Sequence, residues 1–305
     1  MPQKAGVGLE IKAGSVRLAA VQKNGGSLSV LASEMADLPP GMVSESYTTQ
    51  NINDPDGLTE ILRDCLGRLG TVKTNRVSLS LPDTVFRVQT LEFDQLPPKA
   101  KDRERLIRWR LEKAAAFDTS DTILRYQILR RQDKGFTLLA CSAKRDVIAQ
   151  YESLLLGLGF EPWSVGLSSF HIVDFYAGFI LHKAPVSAIA YITSDAFGTF
   201  ILEGGGLRFY RFKEMKRGTP EGIRSRLVRE IDDSLHFYTH MDRSQIAEVG
   251  NLYLSGDSVD LDALVGGLSS ATSLDVQVLS PAVVQPVFSD TAPELAAALG
   301  AGGTL

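Results

Sequence analysis

Residues 7–11 (VGLEI), 15–22 (SVRLAAVQ) and 27–35 (SLSVLASEM) are three short β-rich runs, split by a turn at residues 12–14 and another at Asn24-Gly25-Gly26. This spacing predicts a three-strand meander. Residues 187–193 (SAIAYIT), 197–203 (FGTFILE) and 207–212 (LRFYRF) repeat the plan, with Gly204-Gly205-Gly206 at the second turn. Each meander is followed by helical sequence, so the chain reads as two similar α/β halves.

A duplicated ribonuclease H-like core has this form. Outward from the first meander, Asp54 and Pro55 open a helix whose apolar positions are Leu58, Ile61, Leu62, Leu66 and Leu69, with Gly70 as its stop. Residues 76–82 (RVSLSLP) alternate and read as the next strand. The pattern then changes to strand 85–93, helix 99–117, strand 122–129, a turn at 133–135, strand 136–143 and helix 145–160, a compact inserted unit. A strand near 163–167 and a helix over 168–182 return to the first half before Pro185. The second meander leads into a long helix over 219–242, with Thr219 as N-cap candidate and Pro220 in the first turn. A strand at 251–257, a helix at 259–272 and a strand at 274–281 follow. Residues 296–305 (AAALGAGGTL) read as a frayed end. The expected boundaries are 1–82 and 159–184 for the first lobe, 83–158 for the inserted domain and 185–305 for the second lobe.

Composition narrows the function classes. With 44% hydrophobic and 22% charged residues the chain is an ordinary globular one. Its 32 basic and 36 acidic residues leave a formal charge of -4, so no global field recruits nucleic acid or an anionic membrane. Cys65 and Cys141 are too few for a disulfide framework and read as buried thiols of a reducing compartment. The first residues lack a charged stretch followed by an apolar one, which reads as no secretory signal. The apolar stretches fall short of the roughly 20 residues that span a bilayer.

Several segments, in order, resemble the PilM family of type IV pilus assembly proteins. They are residues 7–22, the Pro-Gly crossing DLPPGMV (37–43), SLSLPDTVFRVQTLEFDQLP (78–97), LIRWRLEKAAAF (106–117) followed by LRYQIL (124–129), AKRDVIAQYESLLLGLGFEP (143–162) and REIDDSLHFY (229–238). The helix with Trp109 and terminal Phe117 is the most specific piece. The resemblance runs from Val7 to about Leu299. It implies an actin-like ATPase fold of two ribonuclease H-like lobes with a small α/β domain inserted in the first. It also implies a cytoplasmic scaffold, peripheral to the inner membrane, that binds the cytoplasmic N-terminal peptide of a PilN-like membrane protein. Contact with membrane would then come only through the partner, and self-association is compatible with the family. Arg87, Trp109 and Phe117 are the partner-binding candidates, in a groove between the first lobe and the inserted domain.

The resemblance also implies ATP and Mg²⁺, and here the chain departs from the superfold. The first hairpin of that superfold carries Asp-x-Gly-Ser/Thr, with the Asp positioning Mg²⁺ through water and turn amides aimed at phosphates. The matching residues are Glu10, Lys12, Ala13, Gly14 and Ser15, with Arg17 beyond as a source of positive charge. Glu10 displaces its charge by one methylene, and Lys12 stands where Gly would tolerate a positive φ. In the second hairpin Tyr191, Ile192 and Thr193 replace the repeated Asp-x-Gly, and a phenol is no hard-cation ligand; Tyr191 reads as a filler of the vacated space. The adenosine-side double glycine becomes Gly256-Asp257. These departures predict weak ATP binding or none, and little hydrolysis.

No catalytic residue and no metal site emerges from the remaining motifs. His236 and His240 share a helix face, but Phe237 stands where a metalloprotease needs Glu. His171 reads as a packed histidine and His182 as a partner of a helix C-terminus. The basic helix over 99–117 reads as a solvated face, with anionic headgroups or acidic partner segments as the other reading. The alternative function is an active ATPase or kinase of the same superfold, which needs a positioned base that no motif supplies. A polymerising actin or cell-division relative would carry an amphipathic membrane-targeting tail, and residues 296–305 have no basic face.

Overall fold

The computed structural model describes residues 4–24, 27–70, 74–115, 119–132, 135–215, 218–241, 248–256 and 260–304. By internal contacts the chain divides into two compact units, Met1–His171 with Ala297–Leu305, and Ile172–Ala296.

The first unit opens with the meander β1 (Lys4–Lys12), β2 (Ser15–Asn24) and β3 (Ser27–Asp37). Helix α1 (Pro55–Leu69) follows, started by Asp54, whose carboxylate accepts from Gly57 N at 3.0 Å, and ended at Gly70, where φ is +82°. Strand β4 (Arg76–Leu81) runs parallel to β1. Strand β5 (Arg87–Phe93), helix α2 (Ala100–Ala115), strands β6 (Thr122–Gln132) and β7 (Gly135–Lys144) and helix α3 (Arg145–Gly157) come next. Then β8 (Glu161–Leu167) pairs parallel with β4 and leads into α4 (Ser168–Leu181). The main sheet therefore has the order β3-β2-β1-β4-β8, and a separate sheet has the order β5-β7-β6.

The apolar face of the main sheet, with Leu9, Ile11, Leu18 and Leu79, is covered by Leu58 and Leu62 of α1 and by Val147, Tyr151, Leu154 and Leu155 of α3. Sequence reasoning had grouped residues 145–158 with the inserted unit. Their buried stripe instead completes the first-lobe core, because an amphipathic helix must bury its apolar side and the main sheet supplies the larger apolar face. The inserted body keeps a core of its own in Leu91, Ile107, Leu111, Leu124, Leu138 and Ala140. On the opposite face of its sheet, Val88, Ile123 and Cys141 pack against the first-lobe core. Cys65 is buried and Cys141 half-buried. Burial raises both thiols, Cys141 to about 12, where the charge of Asp83 adds to the effect.

The second unit repeats the plan. Strands β9 (Val186–Ile192), β10 (Ala196–Glu203) and β11 (Gly206–Glu214) form its meander, followed by α5 (Pro220–Met241), β12 (Asn251–Gly256), α6 (Asp262–Thr272) and β13 (Asp275–Val278). The order β11-β10-β9-β12-β13 mirrors that of the first sheet. Both meanders carry a register shift between their second and third strands, at Ala20/Val21 and at Ile201/Leu202. Leu227, Ile231 and Leu235 on α5, with Leu264 and Leu268 on α6, cover one face of this sheet. From Ile172 onward α4 also belongs to this unit, where the expected lobe boundary lay at 184/185. Edge contacts explain the shift: Phe175 meets Phe288 with ring centroids 5.5 Å apart, and Phe179 meets Tyr253 at 6.1 Å.

The chain then reverses an expectation. Residues 296–305, read as a frayed end of the second lobe, form helix α7 (Ala296–Gly303), and Ala297, Ala298, Leu299 and Ala301 are buried in the first unit. A Cβ at Gly8 of β1 would stand 1.8 Å from Ala298 O, and one at Gly300 would stand 1.9 Å from His171 O. The helix backbone lies directly on the sheet and on α4, an approach open only to residues without side chains at the crossing. Thr304 finishes the contact, its hydroxyl 3.1 Å from Ser78 Oγ.

Candidate functional site

Strand register sets the first hairpin. Glu10 lies opposite Arg17 on β2 and level with Ser80 on β4. Arg17 Nη1 donates to Glu10 Oε2 at 3.1 Å, with Glu10 almost fully buried. The other carboxylate oxygen, Oε1, is buried without a hydrogen-bond partner among the described residues. Arg17 is therefore committed to Glu10. The turn itself holds a surprise: neither Lys12, Ala13 nor Gly14 has a positive φ. The strain expected from Lys12 in place of glycine does not arise, because Ala13 and Gly14 close this turn with ordinary backbone angles.

The amide of Ala13 points at an acceptor from elsewhere in the chain. Glu45 Oε1 accepts from Ala13 N at 2.8 Å. Glu45 sits on a strap between β3 and α1, where Val43 bridges Ile52 and Ser44 N donates to Asn51 O at 2.7 Å. Gln150 of α3 accepts from Asn51 N and Ile52 N at 3.0 and 3.1 Å, fixing the base of the strap. Two residues after Glu45, buried Tyr47 places its hydroxyl 3.3 Å from Ser142 Oγ of β7. The Arg87 guanidinium stands 5.0 Å from the centre of the Tyr47 ring.

Arg87 thus marks the end of β5 nearest the first-lobe core, and Trp109 marks the other end. Trp109 is half exposed and borders a cavity of about 400 Å³ with Glu92, Phe93, Arg110 and Phe136. Lys113 Nζ lies 4.3 Å from its ring centre. Six residue steps along the strand separate Arg87 from Phe93, roughly 20 Å. Along that length β5 is an edge strand, with no strand beyond it among the described residues. Phe117 lies outside the described residues. The basic face of α2 is partly spent inside the domain: Arg108 holds Glu104, Thr119 O and Thr122, and Arg103 donates to Tyr126 Oη at 3.1 Å.

In the second unit Tyr191 is buried on β9, between Gly198 of β10 and Ser255 of β12. Thr193 Oγ1 accepts from Ala196 N at 3.1 Å and so closes the β9–β10 turn. Gly256 is required by crowding, since a Cβ there would stand 1.9 Å from Ile192 O. Asp257 lies outside the described residues.

The start of α4 carries a buried polar chain that sequence spacing did not reveal. Ser169 donates its backbone N–H and its hydroxyl to Asp83, Ser80 Oγ donates to Ser168 Oγ at 3.1 Å, and His171 Nδ1 is 3.0 Å from Ser80 Oγ. The Asp bonds Ser169 rather than the His, so no Ser-His-Asp relay forms. Burial pushes His171 down to about 4 from its usual 6.5. Above pH 6.5 the imidazole is neutral in both folded and unfolded chains. Between 6.5 and 4 only the unfolded chain takes up that proton, so stability falls as pH falls, by about 3 kcal/mol over the window. Urea unfolding at pH 7, 5.5 and 4.5 should show this slope, and His171→Asn should flatten it by about one proton.

These two β-meander units, the first carrying an inserted strand-helix-strand-strand body, match solved structures over almost the whole chain. The PilM-PilN type IV pilus biogenesis complex aligns with a TM-score of 0.79, covering 99% of this chain and 99% of that chain at 19% identity. The fold is PilM-like. It is an actin-like ATPase fold: a protein of that fold and unknown function from Bacteroides thetaiotaomicron aligns with a TM-score of 0.54 over 93% of this chain and 95% of that chain, at 12% identity. The ethanolamine utilization protein EutJ from Carboxydothermus hydrogenoformans gives 0.50 over 99% and 90%, at 11% identity. No protein-family model and no curated protein matches the chain. Within the PilM-like fold, sequence reasoning missed Glu45 and Tyr47. Their partners lie 32 and 95 residues away, beyond any local spacing rule.

Proposed function

We propose that this protein is a cytoplasmic scaffold of a type IV pilus inner-membrane platform that holds the cytoplasmic N-terminal tail of a PilN-like membrane protein. The observation that carries the reading is the edge of β5, which no strand covers among the described residues and which runs from Arg87 to the Trp109 cavity. An extended peptide adding to that edge gains main-chain hydrogen bonds along the strand, with a pocket at one end to select a side chain. The PilM-like fold supports the same partner class, since the complex it resembles contains PilN. Among the described residues no helix is long and apolar enough to cross a membrane, which suits attachment through a partner.

The nucleotide site belongs to this reading as a degraded one. The residues at hand fit Mg-ATP poorly: Arg17 is paired with Glu10, the Ala13 amide is taken by Glu45, and Thr193 is spent on its own turn. Tyr191 offers no carboxylate for a hard cation. The position of Glu10 corresponds to the superfold's metal-positioning acid, and the second lobe supplies no matching group at Tyr191.

Calorimetry with a synthetic N-terminal tail of a PilN-like protein tests the proposal on the full chain. Arg87→Ala and Trp109→Ala should each weaken peptide binding by at least about tenfold with little change in melting temperature. A peptide that does not bind, or binds both variants as it binds the parent, overturns the reading.

A further inference from the structure

Phosphate and carboxylate compete for the same donors. At the turn between β1 and β2 one such donor, Ala13 N–H, is answered by Glu45 Oε1 at 2.8 Å. A charged acceptor makes that bond roughly twice as strong as a neutral one. Glu45 cannot move alone. Its neighbour Ser46 donates its N–H to Asn51 Oδ1 at 3.0 Å, and the strap is cross-bonded through Val43–Ile52 and Ser44–Asn51. Two residues on, Tyr47 is seated against Ser142 and beneath Arg87. Burial raises the Tyr47 phenol above its usual range, so the hydroxyl keeps its proton at neutral pH. One short, cross-bonded strap therefore touches the anion-seeking turn at one residue and the inserted sheet at the next but one.

We propose that Glu45 is a built-in stand-in for a phosphoryl group at the β1–β2 turn, and that an anion displacing it unseats Tyr47. The turn and the β5 face around Arg87 then answer to one ligand. This rests on the reading of that turn as the counterpart of a phosphate loop. Met42, Val43 and Ile52 anchor both ends of the strap in the first-lobe core, so displacement of Glu45 shifts the residues between those anchors, Tyr47 among them. Linkage between two such sites is reciprocal and typically amounts to about five- to a hundredfold in affinity.

The test uses the full chain with sodium pyrophosphate as probe, by calorimetry and by amide hydrogen exchange. Glu45→Gln keeps the shape and removes the charge. It should bind pyrophosphate at least about tenfold more tightly than the parent. Without any ligand it should also exchange faster at residues 43–52 and at the β5–β7 rungs beside Arg87 and Ser142. Glu45→Asp retains the charge one methylene short, is gentler on folding, and should fall between parent and Gln in both readouts. Equal pyrophosphate affinity in the parent and both variants, or faster exchange confined to residues 43–52 with β5 and β7 unchanged, overturns the proposal. No peptide enters either readout. A failure here leaves the partner proposal standing, and a failure of peptide binding leaves this one standing.

Discussion

A chain ending at residue 295 should lose the cooperative unfolding transition of its first unit. Ala296, Ala297, Ala298, Leu299 and Ala301 are all at most 1% exposed. Burying four alanine methyls and one leucine side chain is worth about 5 kcal/mol. Removing the helix also uncovers the sheet at Gly8 and Val21, so the loss approaches the whole 5–15 kcal/mol by which a typical domain is stable. Urea unfolding followed by circular dichroism measures it. A single added carbon should act in the same direction. Gly8→Ala sets its methyl against the Ala298 carbonyl, and no side-chain rotation relieves a backbone clash, so a loss of at least about 3 kcal/mol is expected. A shortened chain with the parent's urea midpoint would show that α7 adds nothing to the unit.

The second large effect lies in the first hairpin. Arg17→Met should cost about 3–5 kcal/mol, because it leaves the Glu10 carboxylate inside the sheet without its guanidinium. Joining it to Glu10→Leu should recover most of that loss, since a well-packed apolar pair of similar volume commonly matches or exceeds a buried ion pair. The double substitution separates two explanations. If it is as damaging as Arg17→Met alone, packing of the long arginine stem, rather than the stranded charge, holds the hairpin. If it recovers, the pair was kept for something other than stability.

Much of the architecture could be read before any coordinates. The two meanders, the Asp54-Pro55 helix start and the inserted body all follow from periodicity and turn residues, because each is a local signal. What could not be read was set by distance along the chain. Helix α7 has no amphipathic stripe, and its burial depends on bare backbone meeting bare backbone at Gly8, which leaves no hydrophobic pattern. Helix α3 has a clear apolar stripe, but a stripe does not say which sheet it will cover. The candidate site positions came from the resemblance, and the backbone of the first turn was misread. Lys12 was expected to strain a turn that never visits positive φ, while the carboxylate that answers the turn comes from Glu45, in a polar stretch with no motif.

Helix α7 also dictates a timetable. Residues 297–304 are translated only after the entire second unit, yet they finish the first. While the ribosome is still making residues 172–295, the β1–β2–β4 surface that α7 will cover has nothing to cover it, and the earlier half of the protein waits on the later half. Domains that fold from contiguous sequence can lock in as they emerge. This one cannot. Its nascent chain carries an unfinished sheet until α7 emerges, which makes the appearance of that helix, rather than emergence of the first meander, the moment at which that lobe becomes native.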